Sequence, residues 1–203
     1  MKNKTLLAFL FFLGIVIIAC EQQSKVTVDA DVMDKDTMAV ATTMTRSDSI
    51  KKGEYLMTIM GCHDCHSPKV MTAHGPEPDP ARAYSGHPAT ETLPKVTDKS
   101  MNAPGQWILL NSGITAFSGP WGTSFAANLT PHETGIGNWT FENFERALRE
   151  GKSKGLANGR MILPPMPWPN FRNVTDEDLQ IMWLYLRSLP PIDNLVPAPL
   201  PPA

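Results

Sequence analysis

Cysteine is scarce in this chain: Cys20, Cys62 and Cys65 are the only three among 203 residues. The number is too small and odd for a disulfide framework of the small secreted kind, so each thiol needs its own explanation. Charge of one sign is also lacking, because 18 Lys and Arg meet 20 Asp and Glu for a net charge of -2. Without a basic face or stripe, nothing supports a nucleic-acid partner. No window shows a sustained alternation of apolar and polar residues, which argues against a sheet-based core. The 19 prolines and 14 glycines point instead to long irregular connections around one modest core.

The one long apolar run, Leu6 to Ile18, has 13 residues and follows Lys2 and Lys4. It has the length of a signal-peptide core and falls short of the ~20 residues of a membrane span. Ile17-Ile18-Ala19-Cys20 places a small residue directly before a cysteine, and this resembles the lipobox of bacterial lipoproteins. The resemblance implies that residues 1–19 are a lipoprotein signal peptide and that Cys20 is lipidated. It further implies export to the bacterial periplasm and a lipid anchor in a membrane. The alternatives are an ordinary signal peptide with a chance cysteine, or an uncleaved anchor. Residues 20–47 hold Asp, Thr, Ser, Met and Lys without an aromatic; such a segment buries too little to offset ordering entropy and reads as a tether. Residues 191–203 are too rich in proline for helix and read as an extended tail. Residues 48–190 are left as the folded domain.

Three helices are expected there. The first takes Ser47, Asp48 or Ser49 as its cap and runs from Ile50 to Met60, before Gly61. The second starts at the cap Thr140, carries Phe141, Phe144 and Leu148 on one face, and stops at Gly151. The third follows Thr175 with three acids, carries the stripe Leu179, Met182, Trp183, Leu186 and Leu189, and ends at Pro190-Pro191. The fold class is mainly α, with helices joined by long irregular loops.

The chemistry is concentrated after the first helix, in Gly61-Cys62-His63-Asp64-Cys65-His66. Cys-x-x-Cys-His is the attachment motif of c-type haem, in which two thiols one helical turn apart bond the porphyrin edge and the adjacent histidine ligates iron. Zinc would need two further Cys or His ligands at suitable spacing, and a thioredoxin-like dithiol would need a βαβ setting. Neither is evident. One motif implies one covalent haem c, with Cys62 and Cys65 as thioether donors and His66 as an axial ligand. His63 is expected to be a spacer facing solvent.

The succession of capped helix, Cys-x-x-Cys-His, middle helix, proline-flanked methionine and C-terminal amphipathic helix resembles the class I cytochrome c domain. Within that class, three segments resemble the cytochrome subunits of bacterial dehydrogenases and related monohaem lipoproteins. They are Gly-Pro-Trp-Gly-Thr-Ser-Phe-Ala-Ala-Asn-Leu-Thr-Pro (119–131), Thr-Gly-Ile-Gly-Asn-Trp-Thr (134–140) and Pro-Pro-Met-Pro-Trp (164–168). The chain departs from compact members of the class in its long stretch between His66 and Asn138. The resemblance implies a fold of helices and loops around one haem, electron transfer as the function, and donor and acceptor proteins as redox partners, with no catalytic residue.

The second axial ligand is best sought among the methionines. Met33, Met38 and Met44 fall in the tether, while Met57, Met60 and Met182 fit helix faces, where methionine usually fills core space. Met166 lies in Leu-Pro-Pro-Met-Pro-Trp-Pro (163–169), whose prolines restrict the backbone and favour a loop that can present sulfur. Met161 is the alternative, followed by His74, His87 and His132. Trp168 could line a haem crevice or simply be core. Asn128 and Thr130 could bond haem propionates or order their own turn. Six cations from Arg146 to Arg172 meet only Glu150, a local basic patch that could guide a redox partner or be a solvated helix end. A haem enzyme or sensor with an open sixth position, such as a small peroxidase, is the alternative function; no distal acid–base pair supports it.

Overall fold

A computed structural model describes residues 44–202, the side chains of Lys99 and Asn102 excepted. The signal peptide, Cys20 and nearly all of the tether lie outside the described residues. Among the described residues five α-helices form: α1 (Arg46–Ile59), α2 (Cys62–His66), α3 (Phe141–Glu150), α4 (Trp168–Phe171) and α5 (Asp176–Ser188). Five short strands, β1 (Lys69–Thr72), β2 (Gly75–Pro78), β3 (Leu109–Leu110), β4 (Ala116–Gly119) and β5 (Gly122–Phe125), lie between α2 and α3.

Helix α1 starts earlier than its sequence suggests. Thr45 is the cap, its hydroxyl accepting from the Asp48 amide at 3.1 Å, so Ser47, Asp48 and Ser49 all lie inside the first turn. Thr45 wins because its extended backbone leaves the hydroxyl facing an otherwise unpaired first-turn N–H. The other two long helices begin and end as expected. Thr140 and Asn143 form a reciprocal capping box on α3, which stops at Gly151. Thr175 caps α5, and Asp176, Glu177 and Asp178 occupy its positive end.

Helix α5 is the centre of the core. Leu179, Ile181, Met182, Trp183, Leu184, Tyr185 and Leu186 are all buried along it, a wider face than the single stripe read from the sequence. It packs on α1 through the side-chain-free Gly53, where a Cβ would stand 2.6 Å from that of Tyr185. On another side Phe144 of α3 stacks against Trp183 with ring centroids 5.4 Å apart. Met57, Ile136 and Leu148 complete this cluster.

The strands are not legible in the sequence. β1 and β2 pair as one antiparallel hairpin, and β3, β4 and β5 form a small antiparallel sheet. Each strand has at most four residues, too few to display a period of two, and several contain glycine or proline, which are poor strand formers. The domain is therefore mostly helical with small sheets held in its long connection.

Residues 190–202 form no helix and are fastened to the body. Thr123 and Leu200 exchange two backbone hydrogen bonds at 3.0 and 2.9 Å, adding a pairing to the outer edge of β5. The Asn194 side chain bonds Ser85 and His87 carbonyls at 2.7 and 2.8 Å.

Candidate haem-attachment site

Gly61 separates α1 from α2 and adopts φ +69°, a left-handed conformation that turns the chain sharply enough for a second helical segment to begin. Cys62 and Cys65 then stand one turn apart on α2, both partly buried and neither in a disulfide. Burial pushes the Cys62 thiol up to about 12 and raises that of Cys65 as well, so both are held as neutral thiols. Lys69 closes the end of α2: its ammonium donates to the carbonyls of Asp64 and Ser67 at 2.5 and 2.6 Å, two groups that the short helix leaves unpaired.

His66 is directed by a residue far away in sequence. Its Nδ1 lies 2.8 Å from the Ala127 carbonyl. The oxygen can only accept, so Nδ1 carries the proton and Nε2 is left with its lone pair. A neutral imidazole with one nitrogen tied to a carbonyl and the other free is the usual arrangement of a metal-ligating histidine. Burial favours the same neutral form, lowering the His66 pKa, with the Ala127 hydrogen bond acting in the opposite direction.

Met166 is half-buried and packs against the main core cluster, the same cluster that Cys62 touches. Met161 is 44% exposed and is taken up in a bridge with Lys152. Of the alternative histidines, His74 is exposed in the β1–β2 turn. His87 is buried, with Nδ1 2.8 Å from the Thr115 hydroxyl and its ring tilted on Phe125, and His132 is bonded to Thr134 at 2.9 Å.

One expectation changes. His63 does not face solvent freely: its side chain is 26% exposed, with Nε2 3.5 Å from Asp64 and Nδ1 buried. Asn128 and Thr130 are buried in a turn network that binds the C-terminal segment, through Asn128 to the Ile192 carbonyl at 2.8 Å and Ile192 N to the Thr130 hydroxyl at 3.1 Å. Trp168 lies against the backbone of Gly151 with the Arg172 guanidinium 4.8 Å from its ring centroid.

The basic patch divides in two. Arg149 is spent on structure, bonding Glu145, Asp176 and the carbonyls of Arg172 and Val174, and Arg146 holds the Gly155 carbonyl at 2.8 Å. Lys154, Arg160 and Arg172 remain exposed, as do the apolar side chains of Leu156 and Met161.

The donor set fits a covalently held haem: two thiols on one turn, an imidazole with a free nitrogen, and a thioether on the same core. Other chemistries fit less well. Among the described residues no group of three or more His, Cys, Asp or Glu is arranged to hold a metal ion, and every strand pairing is antiparallel, which offers no βαβ setting for a redox dithiol.

No protein-family model matches the chain. Its relatives are cytochrome c subunits of bacterial dehydrogenases and similar proteins. It is 29% identical over 158 residues to the gluconate 2-dehydrogenase cytochrome c subunit of Pantoea cypripedii, covering 74% of this chain and 27% of that protein. It is 33% identical over 130 residues to the fructose dehydrogenase cytochrome subunit of Gluconobacter japonicus, covering 61% of this chain and 26% of that protein. With the quinone-dependent alcohol dehydrogenase cytochrome c subunit of Gluconobacter oxydans it shares 31% identity over 137 residues, 67% of this chain and 20% of that protein. The chain thus spans between a fifth and little more than a quarter of the length of these relatives. Among the described residues no helix is long and apolar enough to cross a membrane.

Proposed function

We propose that this chain is a monohaem c-type cytochrome that passes single electrons between a dehydrogenase or other respiratory donor and an acceptor protein. In this reading Cys62 and Cys65 would hold haem c by thioether bonds, and His66 and Met166 would ligate its iron. The observation that carries it is the helical turn bearing both thiols, followed at once by an imidazole whose Nδ1 is bound to the Ala127 carbonyl. The haem would supply reversible one-electron chemistry at iron. The residues of the chain do the rest. The Ala127 carbonyl fixes the orientation and tautomer of His66, and the core around α5 excludes water from the thioether edge. Met166 would supply a second iron ligand, a soft sulfur that would favour ferrous iron.

The names of the relatives support the same reading, since each is the cytochrome subunit of a dehydrogenase. The exposed cations Lys154, Arg160 and Arg172, together with Leu156 and Met161, form a docking rim for an acidic redox partner. Cys20 is the lipid attachment point, which places the domain in the periplasm on a tether.

Acid–acetone extraction tests the attachment. The wild-type protein should keep one haem per chain, and the Cys62→Ser, Cys65→Ser double variant should lose it; a variant that kept haem would refute the assignment. The reduced protein should be slow to take up carbon monoxide, whereas rapid and complete uptake would indicate an open sixth position and an enzyme or sensor. Cys20→Ser should move the protein from the membrane pellet to the soluble fraction, and persistence in the pellet after a high-salt wash would count against lipidation.

A further inference from the structure

The long stretch between His66 and α3 comes back to the motif at one place. Residues 84–87 and 126–129 run side by side, joined by His87 N to the Ala126 carbonyl at 2.9 Å and Leu129 N to the Tyr84 carbonyl at 2.8 Å. Gly86 sits at the centre of this pairing. Its N–H donates to the His66 carbonyl at 2.7 Å, and a Cβ on it would stand 2.7 Å from the Ala127 oxygen, the atom that accepts from His66 Nδ1. Both polar ends of His66, its carbonyl and its ring, are therefore held by two adjoining segments whose spacing only glycine permits.

Those two segments are in turn gripped from the C-terminus. The Nδ2 of Asn194 donates to the carbonyls of Ser85 and His87, the residues on either side of Gly86, at 2.7 and 2.8 Å. Its Oδ1 accepts from Ala89 N at 2.9 Å, and its own N–H donates to the Thr134 hydroxyl at 3.1 Å. Asn128, in the other segment, reaches the same strap through the Ile192 carbonyl at 2.8 Å. The Asn194 side chain thus fastens one wall of the His66 clamp, and the same proline-rich strap is tied to the other wall by Asn128.

We propose that Asn194 is a positioning residue for His66, keeping the Ala127 carbonyl on Nδ1 and so setting how strongly that imidazole donates to iron. The inference rests on the haem reading of His66. A firm Nδ1–H to carbonyl bond makes the ring a stronger donor and stabilises ferric iron. Loosening the clamp lengthens that bond, weakens donation and raises the reduction potential.

The test is made on the full haem-loaded protein, reading the exchange of the His66 Nδ1 proton by NMR in the ferrous state together with the reduction potential. Asn194→Ala should speed exchange about tenfold or more, because the clamp then opens more often, and should raise the potential. Leu200→Pro, which removes the strap's remote hydrogen bond to the Thr123 carbonyl, should leave both at wild-type values. If Asn194→Ala fails to fold, Asn194→Asp replaces it for the exchange measurement, since it keeps the shape and the acceptor for Ala89 while losing both donors. Lower thermal stability with unchanged exchange and potential would overturn the proposal and leave Asn194 a structural residue. An equal response from Leu200→Pro would overturn it too, by showing that any loosening of the strap suffices. Covalent haem with unchanged exchange refutes this inference alone, whereas a protein without covalent haem refutes the functional reading and this inference together.

Discussion

The contact between α1 and α5 offers a test of how closely the domain is packed around its motif. A Cβ at Gly53 would lie 2.6 Å from the Tyr185 Cβ and 2.7 Å from the Ile181 carbonyl oxygen, about 1 Å inside the ordinary separation of nonbonded heavy atoms. One obstacle is backbone and the other is bonded directly to it, so no rotamer change relieves either. Gly53→Ala gains up to about 1 kcal/mol of helix propensity and incurs an overpacking cost of about 1–3 kcal/mol. Because the helix backbones themselves must separate, the upper part of that cost applies, and the net loss is about 1–2 kcal/mol. For a domain of this size that lowers the melting temperature by about 2–8 °C. The assay is thermal or denaturant unfolding of the holoprotein, with Lys51→Ala on the exposed face of α1 as control, expected to stay within about 0.5 kcal/mol. A Gly53→Ala protein as stable as wild type would refute the close crossing of the two helices. Since α1 leads through Gly61 directly into the motif, the same variant should also broaden the haem absorption of the assembled protein.

Replacing Met166 by Ala should abolish the far-red sulfur-to-iron absorption of the oxidised protein and lower its potential, while Met161→Ala should leave both nearly unchanged; the converse result would transfer the ligand role to Met161. The Asp178 carboxyl is held below its ordinary range, chiefly by the hydrogen bond from Lys52, which lies 2.8 Å away. A depressed carboxyl contributes stability that is present above its unfolded pKa and lost as pH falls through the folded value, so Lys52→Met should flatten the loss of stability between neutral and acid pH in denaturant titrations. An acid loss as steep as in the wild type would show that the pair is not coupled. Thr140→Ala removes the hydroxyl half of the α3 capping box and should cost about 1 kcal/mol in the same unfolding assay, with no change in haem absorption.

Several cations that the sequence groups as one patch have separate duties in the fold. Arg149 joins α3 to the start of α5 through Asp176 and two carbonyls, and its loss would loosen the core. Lys154, Arg160 and Arg172 are exposed, Arg160 bonding the Met161 carbonyl and Arg172 lying over the Trp168 ring, so substitutions there should weaken salt-dependent association more than stability. Spacing along a chain reports charge density, but only packing shows which charges already have partners.

The sequence by itself determined the features whose physics is local. Two thiols and an imidazole on one helical turn are adjacent in the chain, and the caps Thr140 and Thr175, the stop at Gly151 and the prolines after α5 all act within a few residues of their own position. Met166 stands out because its flanking prolines restrict the same short loop. The cap of α1 falls a few residues before the position its sequence suggests, since several adjacent side chains could serve and only the entry angle of the chain selects Thr45. What only the tertiary structure decided rests on partners far apart in sequence. The carbonyl that directs His66 comes from Ala127, 61 residues away, and the amide that fastens its clamp comes from Asn194, 109 residues from Ser85. A backbone carbonyl carries no side-chain signature, and strands of two to four residues show no period. Such contacts form only when burial of the α5 face brings the long connection and the C-terminal strap onto one core, where each buried polar group must find a partner.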